Sequence, residues 1–89
     1  MKHLSIHVSG KVQGVFFRAS TREKAVEFNI KGNVRNNADG SVSIEAEGED
    51  ENLQQFVEWC KHGPKFAQVE RCEVKDTVIR NFKSFTIER

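Results

Sequence analysis

Where an alternating apolar pattern gives way to a helical one, two glycines and an arginine constrain this chain more than any other feature. Leu4, Ile6 and Val8 alternate with His3, Ser5 and His7 at the period of a half-buried strand. Phe17, Thr21, Ala25 and Phe28 then recur at i, i+4, i+8 and i+11, the period of a helix. Gly10-Lys11-Val12-Gln13-Gly14-Val15-Phe16-Phe17-Arg18 joins the two, so a strand must pass into a helix through a tight loop. Glycines let such a loop curl until successive backbone N–H groups point inward, and the helix start adds unpaired N–H groups and the positive end of its dipole. The expected product is an anion site, although glycine spacing alone also fits an ordinary turn followed by a solvent-facing arginine.

The remaining pattern sets the architecture. The first strand is expected from His3 to Ser9, with His3 and His7 on its solvent side. The first helix is expected from Phe17 to Phe28, closed by Asn29, since asparagine tolerates the left-handed conformation past a helix end. Ile30, Gly32 and Val34 run in phase in a second strand, and Val42, Ile44 and Ala46 alternate with Ser41, Ser43, Glu45 and Glu47 in a third. The turn residues 36–40, ending in Asp39-Gly40, make these two a hairpin. Glu45 and Glu47 share a face and read as a solvated charged surface rather than an acid and base pair. Leu53, Phe56, Val57 and Cys60 form the apolar stripe of a second helix, which starts with Glu49, Asp50 and Glu51 and stops at Gly63-Pro64, with Trp59 off the stripe. A fourth strand carries Ala67 and Val69, then Cys72 and Val74, and the break in its two-residue period calls for a bulge near Glu70-Arg71. An irregular stretch from about Asp76 to Lys83 precedes a short final strand with Phe85 and Ile87. The order β, α, β, β, α, β with a terminal strand predicts an α+β, ferredoxin-like sandwich, two helices on one face of an antiparallel sheet.

Eighty-nine residues are expected to form one domain, 1–89, burying about 60–65% of the unfolded surface. A net charge of +1 gives no global attraction for a polyanion, so no nucleic-acid partner is expected. No segment is apolar and long enough for a membrane span or a signal peptide, and the cytoplasm is the expected compartment. Cys60 and Cys72 lack metal-site or redox-motif spacing and read as reduced and structural.

A phosphate-sized dianion in the loop would meet the N–H groups of Gln13, Gly14, Val15, Phe16, Phe17 and Arg18, and the planar guanidinium of Arg18. Asn36, beside the hairpin turn, can donate and accept and so could hold a water, although a turn-forming asparagine fits the same pattern. The scattered His3, His7 and His62 form no nucleophile pair and no metal cluster, so neither a metal nor a cofactor is expected. An arginine, an amide and a ring of backbone donors stabilise charge and position water but supply little acid to a leaving group. A substrate must then bring a good leaving group, and a carboxylate is one.

Gly10, Val12-Gln13-Gly14-Val15 and Phe17-Arg18 resemble the G-x-V-Q-G-V-x-F-R signature of the acylphosphatase family. Gly32-Asn33-Val34-Arg35-Asn36, followed by Asp39-Gly40-Ser41-Val42, resembles its second signature, G-x-V-x-N-x-x-D-G-x-V, and Phe85-Thr86-Ile87 its closing F-x-I. Asn29, Asn33 and Asn37 depart from the residues common there. The resemblance implies the ferredoxin-like fold and cofactor-free hydrolysis of acyl phosphates to carboxylate and inorganic phosphate. It implies that the loop and Arg18 bind the phosphate and that Asn36 orients the attacking water, with inorganic phosphate as product and competitive inhibitor. A monomer is expected. The rival readings are a non-catalytic phosphate- or metabolite-binding ferredoxin-like module and a domain cut from a larger carbamoyl-transfer enzyme. A start at Met1 and an end soon after the last strand favour an independent protein over the second. RNA binding is disfavoured by the polar open sheet face, His3, Ser5, His7, Ser43, Glu45 and Glu47.

Overall fold

A computed structural model describes residues 1–89. Seven elements follow in the expected order: β1 (Lys2–Lys11), α1 (Phe17–Glu27), β2 (Lys31–Asn36), β3 (Val42–Gly48), α2 (Asp50–Cys60), β4 (Gln68–Thr77) and β5 (Phe85–Ile87). They build one mixed sheet in the order β4-β1-β3-β2-β5. The first four strands pair antiparallel, and β5 adds to β2 in parallel, with Gly32 opposite Phe85 and Val34 opposite Ile87.

The even positions of β1 and β3 carry the core, as their alternation requires: Ile6, Val8, Val42, Ile44 and Ala46 are buried against Phe17 and Ala25 of α1 and Leu53, Phe56 and Cys60 of α2. Trp59 flanks that core beside Phe17, with ring centroids 5.7 Å apart. Full burial of a phenylalanine contributes about 1.5–3 kcal/mol, so Phe17 firmly fixes where α1 starts. Asn29 takes φ 57° after the helix, as its residue type predicts, while Phe28 donates to the Lys24 carbonyl.

The predicted irregularity in β4 also has a place. The register jumps from Ser9 opposite Arg71 to Gly10 opposite Val69, leaving Glu70 as the extra residue. Gly10 has φ 123°, and a side chain there would run into the backbone of Gln68 and Glu70. β1 therefore continues past Ser9 to Lys11, and its glycine serves the bulge rather than the loop.

Two expectations fail on the open face of the sheet. His3 and Glu47 are not solvated; each is only 2% exposed. Residues 78–82 cross this end of the sheet as a strap, and the Glu47 carboxylate accepts the backbone N–H groups of Arg80, Asn81 and Phe82. The His3 ring lies edge-on to Phe82, hydrogen bonds through Nδ1 to the Val78 carbonyl at 2.7 Å and through Nε2 to Glu45 at 2.7 Å. Glu45 is half-buried and also accepts from Ser5. Alternation assigns a residue to a face but says nothing of what later chain lies across that face.

Burial works to raise the Glu47 pKa, but the three backbone donors and neighbouring His3 outweigh it and hold the carboxyl below its ordinary value. A depressed carboxyl contributes stability that is full above the unfolded pKa and lost as pH falls through the folded one. Glu47→Gln should therefore cost about 1.5–3 kcal/mol at neutral pH. The difference from wild type should shrink in acid, below the ordinary glutamate value of 4.5. Urea unfolding across that range checks both; an equal deficit at every pH would show that the carboxylate charge is not what holds the strap.

Candidate active site

The loop between β1 and α1, residues 12–16, is held from below by Val12 and Val15, which are buried together with Phe17. Gly14 at φ 74° and Phe16 at φ 63° are both left-handed. Left-handed residues in a short loop turn successive N–H groups toward one concave side. The first intrahelical bond of α1 runs from Ser20 N–H to the Phe16 carbonyl at 3.0 Å, so the N–H groups of Phe17, Arg18 and Ala19 have no helical acceptor. α1 has no side-chain cap and no acidic residue in its first turn, whereas α2 has Asp50 and Glu51 there. The positive end of α1 is left uncompensated by the chain itself.

A cleft of about 330 Å³ opens over this end, lined by Gln13, Gly14, Phe16, Arg18, Asn36 and, from the last residues, Ile87 and Arg89 among others. The fold thus gathers Gln13, Gly14, Phe16, Phe17, Arg18 and Asn36 around one space. Val15 offers only its backbone, because its side chain is in the core. Arg18 is half-buried and donates one hydrogen bond, at 3.3 Å, to the Glu88 carbonyl. Guanidinium carries five N–H donors, so most remain for an anion. Asn36 is the last residue of β2, paired with Val42.

The side chain of Gln13 has a task that residue type alone does not disclose. Its amide nitrogen donates to the carbonyls of Asn37 at 2.8 Å and Ser41 at 2.9 Å, tying the loop to the β2–β3 turn. Asn37, not Asn36, braces that turn: its amide donates to the hydroxyls of Ser41 and Ser43. Asp39 accepts from the hydroxyl and N–H of Ser41, and these bonds lower its pKa. Asn36 is thereby relieved of the turn-forming duty its position suggested. Arg89 and Ile87 escape the sequence because nothing in it says that β5 lies parallel to β2, which brings the end of the chain to the cleft.

No carboxylate, histidine or thiol side chain lines the cleft. Cys60 is buried, and burial, reinforced by Cys72, pushes its thiol well above the ordinary value, which leaves it inert as a nucleophile. Burial also raises Cys72, partly offset by Lys61. No group of three or more His, Cys, Asp or Glu side chains is arranged so that it could hold a metal ion. The site can bind an anion, stabilise charge and orient water.

The sequence model of the acylphosphatase family matches residues 4–87. An acylphosphatase of Oceanobacillus iheyensis is 51% identical over 88 residues, spanning 93% of this chain and 97% of the relative. The crystal structure of acylphosphatase from Bacillus subtilis superposes with a TM-score of 0.97 at 37% identity, covering both chains completely. Full-length HypF in its phosphate- and nucleotide-bound form matches 99% of this chain with 12% of its own length, at a TM-score of 0.93 and 30% identity.

Gln13→Ala removes both bonds between loop and hairpin and should cost about 1–3 kcal/mol in urea unfolding. Amide exchange should quicken at Gly40 and Ser41. Unchanged stability and exchange would mean that Gln13 does not lock the two segments together.

Proposed function

The chain belongs to the acylphosphatase family, and on that premise we propose how it hydrolyses acyl phosphates to carboxylate and inorganic phosphate. The phosphoryl group sits in the loop, its oxygens on the N–H groups from Gln13 to Arg18 and on the Arg18 guanidinium. Asn36 holds a water opposite the acyl oxygen, accepting through its carbonyl oxygen or donating through its amide. The water attacks phosphorus in line as the bond to the acyl oxygen breaks, and a phosphoryl oxygen takes up the water's proton. The leaving carboxylate is a weak base and needs no acid, which suits a cleft that has none. The observation that carries this reading is the uncapped, acid-free start of α1 sharing one cleft with Arg18 and Asn36.

Backbone donors and arginine are in place before the reaction, so they stabilise transition-state charge without reorganising. Arg18 acts on bound phosphate and on the transition state alike; Asn36 acts mainly on the latter. Product phosphate occupies the same donors and so competes with substrate. A monomer is proposed as the working form. Residues 1–89 act as one unit, because both helices and four strands supply a shared buried core and β4 packs Val69 and Cys72 against it.

Arg18→Ala should reduce kcat/KM by at least about 100-fold to 1,000-fold and weaken inhibition by inorganic phosphate. Asn36→Ala should instead lower kcat strongly with phosphate inhibition near normal. Steady-state kinetics on benzoyl phosphate, with phosphate as inhibitor, separates the two; the opposite pattern would exchange the roles.

Activity should survive EDTA and iodoacetamide, and kcat should stay nearly flat from about pH 5.5 to 7.5, where an essential unperturbed histidine would titrate. Restoration of lost activity by one divalent ion would contradict the mechanism.

A further inference from the structure

Phe16 stands against its local preferences. It lies between buried Val15 and buried Phe17, yet is 78% exposed. A lone exposed phenylalanine needs no explanation. This one also holds φ 63° and ψ 24°, a left-handed conformation that bulky residues avoid and that glycine takes freely. Phe16 lines the cleft at the N-terminal end of α1, where the proposed reaction places the phosphoryl group.

The rest of the lining shows what such a ring could meet. Of the apolar residues there, Val12 and Phe17 are buried in the core, so the accessible apolar wall is Phe16, Ala19 and half-buried Ile87. The polar donors hold the phosphoryl end. An acyl group leaving that end for solvent must pass the rim, and the rim carries this wall. The cleft volume, about 330 Å³, falls at the lower end of ligand sites and holds more than a phosphate alone.

We propose that Phe16 is a specificity-determining residue that packs its ring against the acyl group, favouring acyl phosphates whose acyl part is flat and apolar over short ones. The proposal rests on the acylphosphatase reading of the same site. An aromatic contact strengthens a complex modestly beyond simple burial, so the expected discrimination is about 3-fold to 10-fold.

The test compares kcat/KM for benzoyl and acetyl phosphate in wild type, Phe16→Gly, Phe16→Leu and Phe16→Trp, with thermal unfolding and inhibition by inorganic phosphate measured on each. The benzoyl-to-acetyl ratio should fall about 3-fold to 10-fold in Phe16→Gly, mainly through KM, less in Phe16→Leu, and return in Phe16→Trp. Phe16→Gly should unfold at the wild-type temperature or higher, because glycine relieves the left-handed backbone. Should that variant fold poorly, the leucine and tryptophan variants still order the ratio by ring. A ratio constant across the series in an active wild type overturns the proposal alone. So does a proportional loss on both substrates with weakened phosphate inhibition, which would confine Phe16 to shaping the loop. A wild type inert toward both substrates overturns the proposed function, and this inference with it.

Discussion

The Gln13 amide crosses from the β1–α1 loop to the β2–β3 turn and donates to two carbonyls there, and the geometry of the cleft depends on that crossing. Arg18 and Asn36 come from different supersecondary units. Without a link between the units, the proposed phosphate donors and the amide proposed to hold water could drift independently, and a misplacement of about 1 Å can cost on the order of 100-fold in rate. Two hydrogen bonds from one planar group fix both distance and orientation. Asn37, Asp39 and Ser41 stiffen the receiving turn through their own bonds, so the tie ends on a braced structure.

A second tie works at the other end of the sheet. Glu47 gathers three backbone N–H groups of the strap, which lets the chain cross over His3 and return along β2 as a parallel edge strand. That return seats Phe85 in the core against Phe56 and carries the Glu88 carbonyl to Arg18. A buried carboxylate on the face opposite the helices thus helps to place the arginine proposed to hold phosphate. The arrangement explains why an enzyme with so little functional chemistry still needs most of a small fold to position it.

Local rules carried much of this into the sequence. The helix end at Asn29, the bulge at Glu70 and the hairpin at Asp39-Gly40 follow from backbone preferences and a period of two, and Arg18 and Asn36 stand within recognisable signatures. What remained hidden is tertiary. His3 and Glu47 are polar residues on a polar face, and only the strap makes them interior. The pairing of β5 is a choice of edge and direction for a three-residue strand, too short to declare either, so Ile87 and Arg89 were invisible as cleft residues. Gln13 belongs to the signature, but nothing in the signature shows that its side chain bonds to the hairpin. Asn33, which departs from the bulky residue common in the family, leaves its side-chain oxygen buried without a partner, a local cost to β2 that composition alone would not reveal.

Phosphate is proposed to sit on the uncapped start of α1, within the loop. Amide chemical shifts followed by NMR during titration with inorganic phosphate test it most directly. Saturable shifts should concentrate at Gly14, Val15, Phe16, Phe17 and Arg18, with the Arg18 side-chain N–H moving along the same isotherm and β4 undisturbed. Shifts that centre elsewhere, or loop amides that stay still at phosphate concentrations that inhibit turnover, would contradict it.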